Sequence, residues 1–274
     1  MSVEFWSPIV RALQNDHSVL AFDYRGFPDA GSHLIDDNFS FDDVVADLSA
    51  ILDHEGVEEG HFVSWASGAT LAFEYQRRFP ERVLSLTPIA MDDDDLGSNA
   101  TSSFSRAVLS VKQHLDAFPE SINSVTKAIR RIGAPSGINL FLTALRGDEL
   151  RPVLNLMDML VMESSMANLA LHLLERPEGL SNYLKLYETF SAFDVDVDLP
   201  NLDVPVVIVE GGRDGLAAIS PELRNKLGAL EDVSWETLEN ASHFLPMEYP
   251  EKTANIIRSA VSKAELTLLI STTA

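Results

Sequence analysis

A short apolar strand that breaks directly into a helix constrains this chain more than any other feature. The run from Gly60 to Ala69 reads GHFVSWASGA, and small residues, Ser64 and Gly68, stand two places on either side of Ala66. A strand that turns sharply into a helix needs small side chains at those places, and it exposes the residue at the turn above the sheet. The apolar residues before Ala66 predict a buried strand, and those from Thr70 to Phe79 predict a helix that ends before a proline. The pattern therefore predicts an α/β fold with residue 66 at the turn.

Two serines next to this turn are alternative candidates for a nucleophile. A turn at Ser67 puts Trp65 at a position that needs a small residue, and a turn at Ser64 puts Phe62 there. Ala66 is therefore assigned to the turn, and its methyl group cannot attack a carbonyl.

The segment from His61 to Val83 resembles the α/β-hydrolase superfamily around its nucleophile elbow. The helix, the sequence FPERV at 79–83 and the apolar run Leu84–Ala90 fall at that family's spacing from the turn. The resemblance implies a mostly parallel sheet flanked by helices, with a helical lid inserted after the family's sixth strand. It also implies that Ala66 occupies the position of the family's nucleophile.

A second apolar run, from Ser18 to Phe27, predicts a buried strand that ends in a polar turn. Its sequence DYRG at 23–26 is similar to the Asp-x-Arg-Gly motif that follows the family's fourth strand. Helical periodicity precedes this run from Phe5 to Leu13 and follows it from Asp42 to His54.

The three strands with which family members usually begin do not precede Phe5 in this sequence. The resemblance therefore implies a sheet without the family's third strand, and a site without the loop whose N–H helps to bind an oxyanion. Loss of one such donor costs about 100- to 1000-fold in rate. Either the chain is a shortened form of a longer protein or its sheet is rearranged, and we expect the first.

Two later segments carry the acid and the histidine that the resemblance implies for a catalytic triad. The apolar run from Val204 to Glu210 predicts a strand, and Asp214 follows it after two glycines, where the family places its acid. A turn aspartate without a catalytic role, and an acid drawn from 92–95, are the alternatives. His243 lies in a loop of small residues before a helix predicted from Glu251 to Lys263, like the family's catalytic histidine. The order of turn, acid and histidine is the α/β-hydrolase order.

The chain between these halves has helical segments and little strand character, which predicts the lid. Its helices are predicted over Ser105–Leu115, Ser121–Ile132, Ile138–Leu145, Leu150–Glu175 and Gly179–Phe190. The expected division is a first part of the core at 1–95, a lid at 96–198, a second part of the core at 199–264 and a tail at 265–274.

The candidate site residues follow from these assignments. The catalytic positions are His243, Asp214 and Ala66, and Ser67 is the expected backbone donor to an oxyanion. The residues expected to contact a substrate are Trp65, Met157, Met162 and Phe244. The methionines of the lid fit either ordinary packing or an adaptable apolar pocket wall.

Composition limits the chemistry and the partners. The chain has no cysteine, which excludes disulfides, thiolate metal sites and a cysteine nucleophile. Its formal net charge of -22 argues against nucleic acid or an anionic membrane surface as a partner, because both attract basic patches. The acidic runs at 92–95 and 194–198 lack the glycine and glutamate spacing of a calcium loop. We expect a cytoplasmic protein with a small-molecule ligand and without a cofactor or metal, since no signal peptide or membrane-spanning run is present.

Three functions remain open at this point. The resemblance implies action on a small, apolar acyl, ester or thioester compound, with serine-type hydrolysis impaired by Ala66. The first alternative is chemistry by a His243–Asp214 dyad without a nucleophile, as in hydrolase-like lyases, cyclases and cofactor-free dioxygenases. A general base of this kind contributes about 100- to 10000-fold. The second alternative is a pseudoenzyme that binds a small molecule or a partner protein.

Overall fold

A computed structural model of the protein describes residues 3–27, 35–96, 103–132, 174, 176–193, 202–217 and 219–273. Within these ranges the strands are β1 (Gly60–Trp65), β2 (Val83–Ile89), β3 (Val206–Gly211) and β4 (Val233–Leu238). The α-helices there are α1 (Ser7–Leu13), α2 (Phe41–His54), α3 (Gly68–Arg78), α4 (Ser103–Ala117), α5 (Ile122–Ile132), α6 (Pro177–Ser191), α7 (Pro221–Gly228), α8 (Leu245–Glu248) and α9 (Pro250–Thr273).

The strands form one parallel sheet in the order β1-β2-β3-β4. Most residues of the two central strands are buried, and Ile89 of β2 and Ile208 of β3 are completely buried. Such burial is typical of parallel strands that are covered by helices on both faces. The sheet confirms the α/β architecture predicted from the sequence.

Helices pack on both faces of this sheet. On one face, Val45 of α2 and Phe73 of α3 pack in one apolar cluster with Leu86 of β2. On the other face, Ile9 of α1 and Ile257 of α9 pack with Ile89 at the end of β2 and with alternate residues of β3. A third apolar cluster joins residues of α4, α5 and α6 to the loop after β4, and it forms part of the wall of the site described below.

The strand predicted from Ser18 to Phe27 is not formed. These residues have no ladder partner in the described parts of the chain, and Val19 and Leu20 are 38% and 41% exposed. A strand needs a hydrogen-bonded neighbour, and within the described residues β1 pairs on one side alone, with β2. The apolar sequence of this run is therefore insufficient to make it a strand.

The structure differs from the sequence-based assignment at four further elements. Strand β4 and helices α7 and α8 were not predicted, and α9 continues to Thr273, into the segment assigned to a tail at 265–274. The helices α4, α5 and α6 occupy three of the segments predicted for the lid. The predicted helix Ile138–Leu145 and most of Leu150–Glu175 lie outside the described residues. No helix among the described residues is long and apolar enough to cross a bilayer.

Candidate active site

Ala66 lies at a sharp turn between β1 and α3. Its φ is 47°, in the left-handed region that residues with a side chain rarely adopt. Its N–H donates to the carbonyl oxygen of Ile89 at 2.9 Å, which ties the turn to the end of β2. A Cβ added to Gly68 would stand 3.4 Å from Cβ of Ser64, in contact with it, so larger side chains at these two positions would crowd each other. The local geometry is the strand-to-helix turn that the sequence predicts.

His243 and Asp214 are in contact across the carboxyl end of the sheet. Nδ1 of His243 lies 2.9 Å from Oδ2 of Asp214, and the two side chains are 10% and 6% exposed. The other oxygen of Asp214 accepts hydrogen bonds from the N–H groups of Leu216 and Ala217, each at 2.9 Å. Because both oxygens are engaged, the carboxylate is fixed against the imidazole. A carboxylate on Nδ1 favours the neutral tautomer protonated there, in which Nε2 is the basic atom.

The two glycines before Asp214 allow the loop that carries His243 to pass close to the end of β3. A Cβ on Gly211 would stand 2.5 Å from the carbonyl oxygen of Ser242, and one on Gly212 would stand 2.5 Å from that of Glu239. Real side chains do not approach a carbonyl oxygen so closely. The glycines therefore set the position of the loop relative to Asp214.

Glu248 of α8 holds the same loop from the other side. Its Oε2 accepts from the N–H of Ser242 at 2.8 Å, and its Oε1 accepts from the Ser242 hydroxyl at 2.9 Å. That hydroxyl oxygen also accepts from the N–H of Phe244 at 3.2 Å. The residues on both sides of His243 are thus fixed by hydrogen bonds.

Trp65 contacts His243 in two ways. Its Nε1 donates to the carbonyl oxygen of His243 at 2.8 Å, and the centroids of the indole and imidazole rings are 4.7 Å apart. The sequence assigns Trp65 to a substrate contact and contains no signal for this bond, which joins residues far apart along the chain. The structure therefore gives Trp65 a second role, as a support for the histidine.

One cavity brings most of the predicted site residues together. Its wall includes Trp65, Ala66, Ser67, His243 and Phe244. Among the described residues, no acceptor pairs with the main-chain N–H of Ser67. Asp214 contacts His243 from outside this wall. The predicted substrate contacts Met157 and Met162 lie outside the described residues.

Carboxyl groups from 92–95 form a polar side of the cavity. The N–H of Asp92 donates to Oδ2 of Asp95 at 2.9 Å, and the N–H of Asp95 donates to Oδ1 of Asp92 at 3.2 Å. Burial, followed by the charge of Asp94, raises the pKa of Asp92 to about 7. Burial also raises the pKa of Asp95 well above its usual range, with the charge of Asp92 adding to the effect. The sequence predicts these residues as a loop or as an alternative acid, and it contains no signal for their burial.

Three tyrosines, Tyr24, Tyr183 and Tyr187, also line the cavity. The hydroxyl of Tyr187 donates to the Ser105 hydroxyl, which donates to a carboxylate oxygen of Asp94. Burial raises the pKa of each tyrosine above its usual range, so the hydroxyls remain protonated donors. None of the three is predicted as a site residue from the sequence.

Known proteins share the fold of this chain. The family model described as alpha/beta hydrolase fold matches residues 1–250. RutD of Azorhizobium caulinodans, which is named for carbamate hydrolysis, is 27% identical over 212 residues, or 77% of this chain and 69% of that protein.

Two solved structures illustrate the structural likeness. An enol-lactonase from Burkholderia xenovorans LB400 has a TM-score of 0.64 at 18% identity, over 95% of this chain and 87% of that one. A thermophilic esterase from Thermogutta terrifontis has a TM-score of 0.63 at 19% identity, over 96% of this chain and 86% of that one. At these identities the likeness shows the fold alone.

Proposed function

Because the chain belongs to the alpha/beta hydrolase fold family, we propose that it acts on a small acyl, ester or thioester compound in the cavity above Ala66. The observation that carries this proposal is the contact between His243, in the cavity wall, and Asp214 behind it. An imidazole that is hydrogen-bonded to a carboxylate can act as a general base and accept a proton during a reaction.

The proposed reaction proceeds without a covalent acyl intermediate. Nε2 of His243 takes a proton from a water molecule, and the resulting hydroxide attacks the carbonyl carbon of the substrate. The main-chain N–H of Ser67 donates to the oxygen that becomes negatively charged. The tetrahedral species then expels the alkoxide or thiolate, which receives the proton from the imidazolium. Asp214 stabilises the imidazolium between these two steps.

The nature of residue 66 separates this proposal from serine-type hydrolysis. A methyl group has no lone pair, so Ala66 cannot form an acyl-enzyme. The name of RutD refers to carbamates, which are acyl compounds of the same reactive type, and a carbamate is therefore included in the proposed substrate class.

The polar side of the cavity supports a second candidate, proton transfer within a substrate without hydrolysis. Burial and the neighbouring charge of Asp94 raise the pKa of Asp92 to about 7, so this carboxyl can hold a proton near neutral pH. Asp92 and His243 line the same cavity. With Asp92 as the acid and His243 as the base, one substrate could gain and lose a proton in the same site, as a lyase or cyclase reaction requires.

Initial rates with para-nitrophenyl butyrate and a butyryl thioester test the proposed function. We expect turnover by the native protein that is lost in His243→Ala and kept in His54→Ala, because His54 is an exposed residue at the end of α2. Equal rates in native protein and His243→Ala, both folded by circular dichroism, would show that the dyad does not act on these compounds.

A further inference from the structure

Tyr24 occupies a fixed position beside the turn at Ala66. Its ring packs against the rings of Phe22, Phe27 and Phe190, with centroids 5.8, 6.1 and 5.6 Å away. Three aromatic neighbours restrict the side chain to one orientation, so its hydroxyl is placed as firmly as the ring.

The hydroxyl of Tyr24 lies at the start of α3. A Cβ built on Gly68 would stand 3.9 Å from this oxygen, and Gly68 is the first residue of the helix. Tyr24 lines the same cavity as Ala66 and His243. The hydroxyl therefore opens on the part of the cavity next to the turn.

No hydrogen-bond partner of the Tyr24 hydroxyl occurs among the described residues. The oxygen is not closed off by the surrounding rings, so it can reach a compound bound in the cavity. Burial holds the pKa of Tyr24 above its usual range, so the group remains a donor rather than a phenolate. The main-chain N–H of Ser67 is a second donor without an acceptor in the described chain, and it belongs to the same cavity wall.

We propose that the Tyr24 hydroxyl donates a hydrogen bond to the carbonyl oxygen of the compound bound above Ala66, together with the N–H of Ser67. This inference rests on the proposed function, because it concerns the same cavity and the same reacting carbonyl. It limits the ligands to compounds with a carbonyl or similar oxygen acceptor. The donor acts most strongly when the oxygen becomes negatively charged, so Tyr24 contributes more to turnover than to binding of the substrate.

Tyr24→Phe tests this role, because it removes the hydroxyl and keeps the ring packing. The matched control is Tyr75→Phe, since Tyr75 is completely buried and its hydroxyl accepts from Ser49 outside the cavity. With para-nitrophenyl butyrate we expect kcat to fall by about 10- to 100-fold in Tyr24→Phe, and KM to rise by no more than about tenfold, the effect of one hydrogen bond to a neutral carbonyl. We expect native kinetics in Tyr75→Phe.

Binding of phenylacetamide, measured by calorimetry, separates this inference from the proposed function. We expect Tyr24→Phe to weaken binding by about fivefold to tenfold, the effect of one hydrogen bond. If Tyr24→Phe weakens phenylacetamide binding but the native protein does not turn over the ester, the Tyr24 contact is supported and hydrolysis is contradicted. Turnover that depends on His243 but is unchanged in Tyr24→Phe would overturn the inference and retain the proposed function. Neither turnover nor phenylacetamide binding by the native protein would overturn both.

Discussion

Replacement of Asp92 by asparagine should make the stability of the protein less sensitive to pH. Burial, followed by the charge of Asp94, raises the pKa of Asp92 from 3.8 to about 7 in the folded chain. Between these two values the folded protein holds a proton that the unfolded chain has lost, so stability falls as pH rises. Ionisation of Asp92 therefore does not reduce the stability of the fold below the pKa of this group in the unfolded chain, and it reduces the stability fully above its pKa in the folded chain. Asp92→Asn removes this cost and keeps an oxygen that can accept from the N–H of Asp95.

The size of the effect follows from the position of the pKa. One proton changes the free energy of unfolding by about 1.4 kcal/mol per pH unit, so between about pH 5.5 and about pH 8.5 the stability advantage of the variant should grow by about 2 kcal/mol. Urea unfolding followed by tryptophan fluorescence at several pH values measures this advantage. Asp232→Asn is the control, because Asp232 is exposed and its replacement reports the loss of one surface charge. An advantage that is constant or shrinks with rising pH would refute the reasoning.

Three further predictions concern the support of the site. Trp65→Phe keeps an aromatic ring but loses the N–H that donates to the carbonyl oxygen of His243, so turnover should fall about tenfold and the free energy of unfolding by about 1 kcal/mol. The control Trp235→Phe lies on a strand away from the cavity and should keep native turnover. Gly211→Ala places a Cβ 2.5 Å from a carbonyl oxygen, so thermal unfolding should show that the free energy of unfolding falls by more than about 2 kcal/mol. The control Gly228→Ala has open space around its Cβ and should leave the stability unchanged or raise it. Ala66→Ser should introduce a burst of para-nitrophenol in stopped-flow traces, and a burst absent from a folded variant would count against residue 66 as the nucleophile position.

The local pattern predicted the turn at Ala66, because the turn depends on small residues close in sequence. The contact between His243 and Asp214 was implied by the resemblance to the family, and no local pattern connects these two residues. Strand β4 was missed because Val233–Leu238 mixes apolar and polar residues at the edge of the sheet, where burial is incomplete. The run from Ser18 to Phe27 was wrongly predicted as a strand because pairing depends on a neighbour that local sequence does not describe.

Contacts between distant residues account for the rest of the site. Trp65 and His243 are separated by 178 residues, so no local pattern connects the indole N–H to the histidine carbonyl. The acidic residues at 92–95 have the sequence of a solvated loop, but in the folded chain Asp95 is buried and the other three are partly buried. Tyr24 belongs to a motif whose spacing is recognisable, but the position of its hydroxyl beside Gly68 is a property of the folded chain.

The central claim is that the His243–Asp214 dyad works beside a turn that cannot form an acyl-enzyme. Intact-protein mass spectrometry during turnover of para-nitrophenyl butyrate tests it most directly, with Ala66→Ser as the reference that can be acylated. We expect butyrate release by the native protein with no butyryl adduct at any time, and a transient adduct in Ala66→Ser. A butyryl adduct that forms and decays on the native protein at the rate of turnover would contradict this claim.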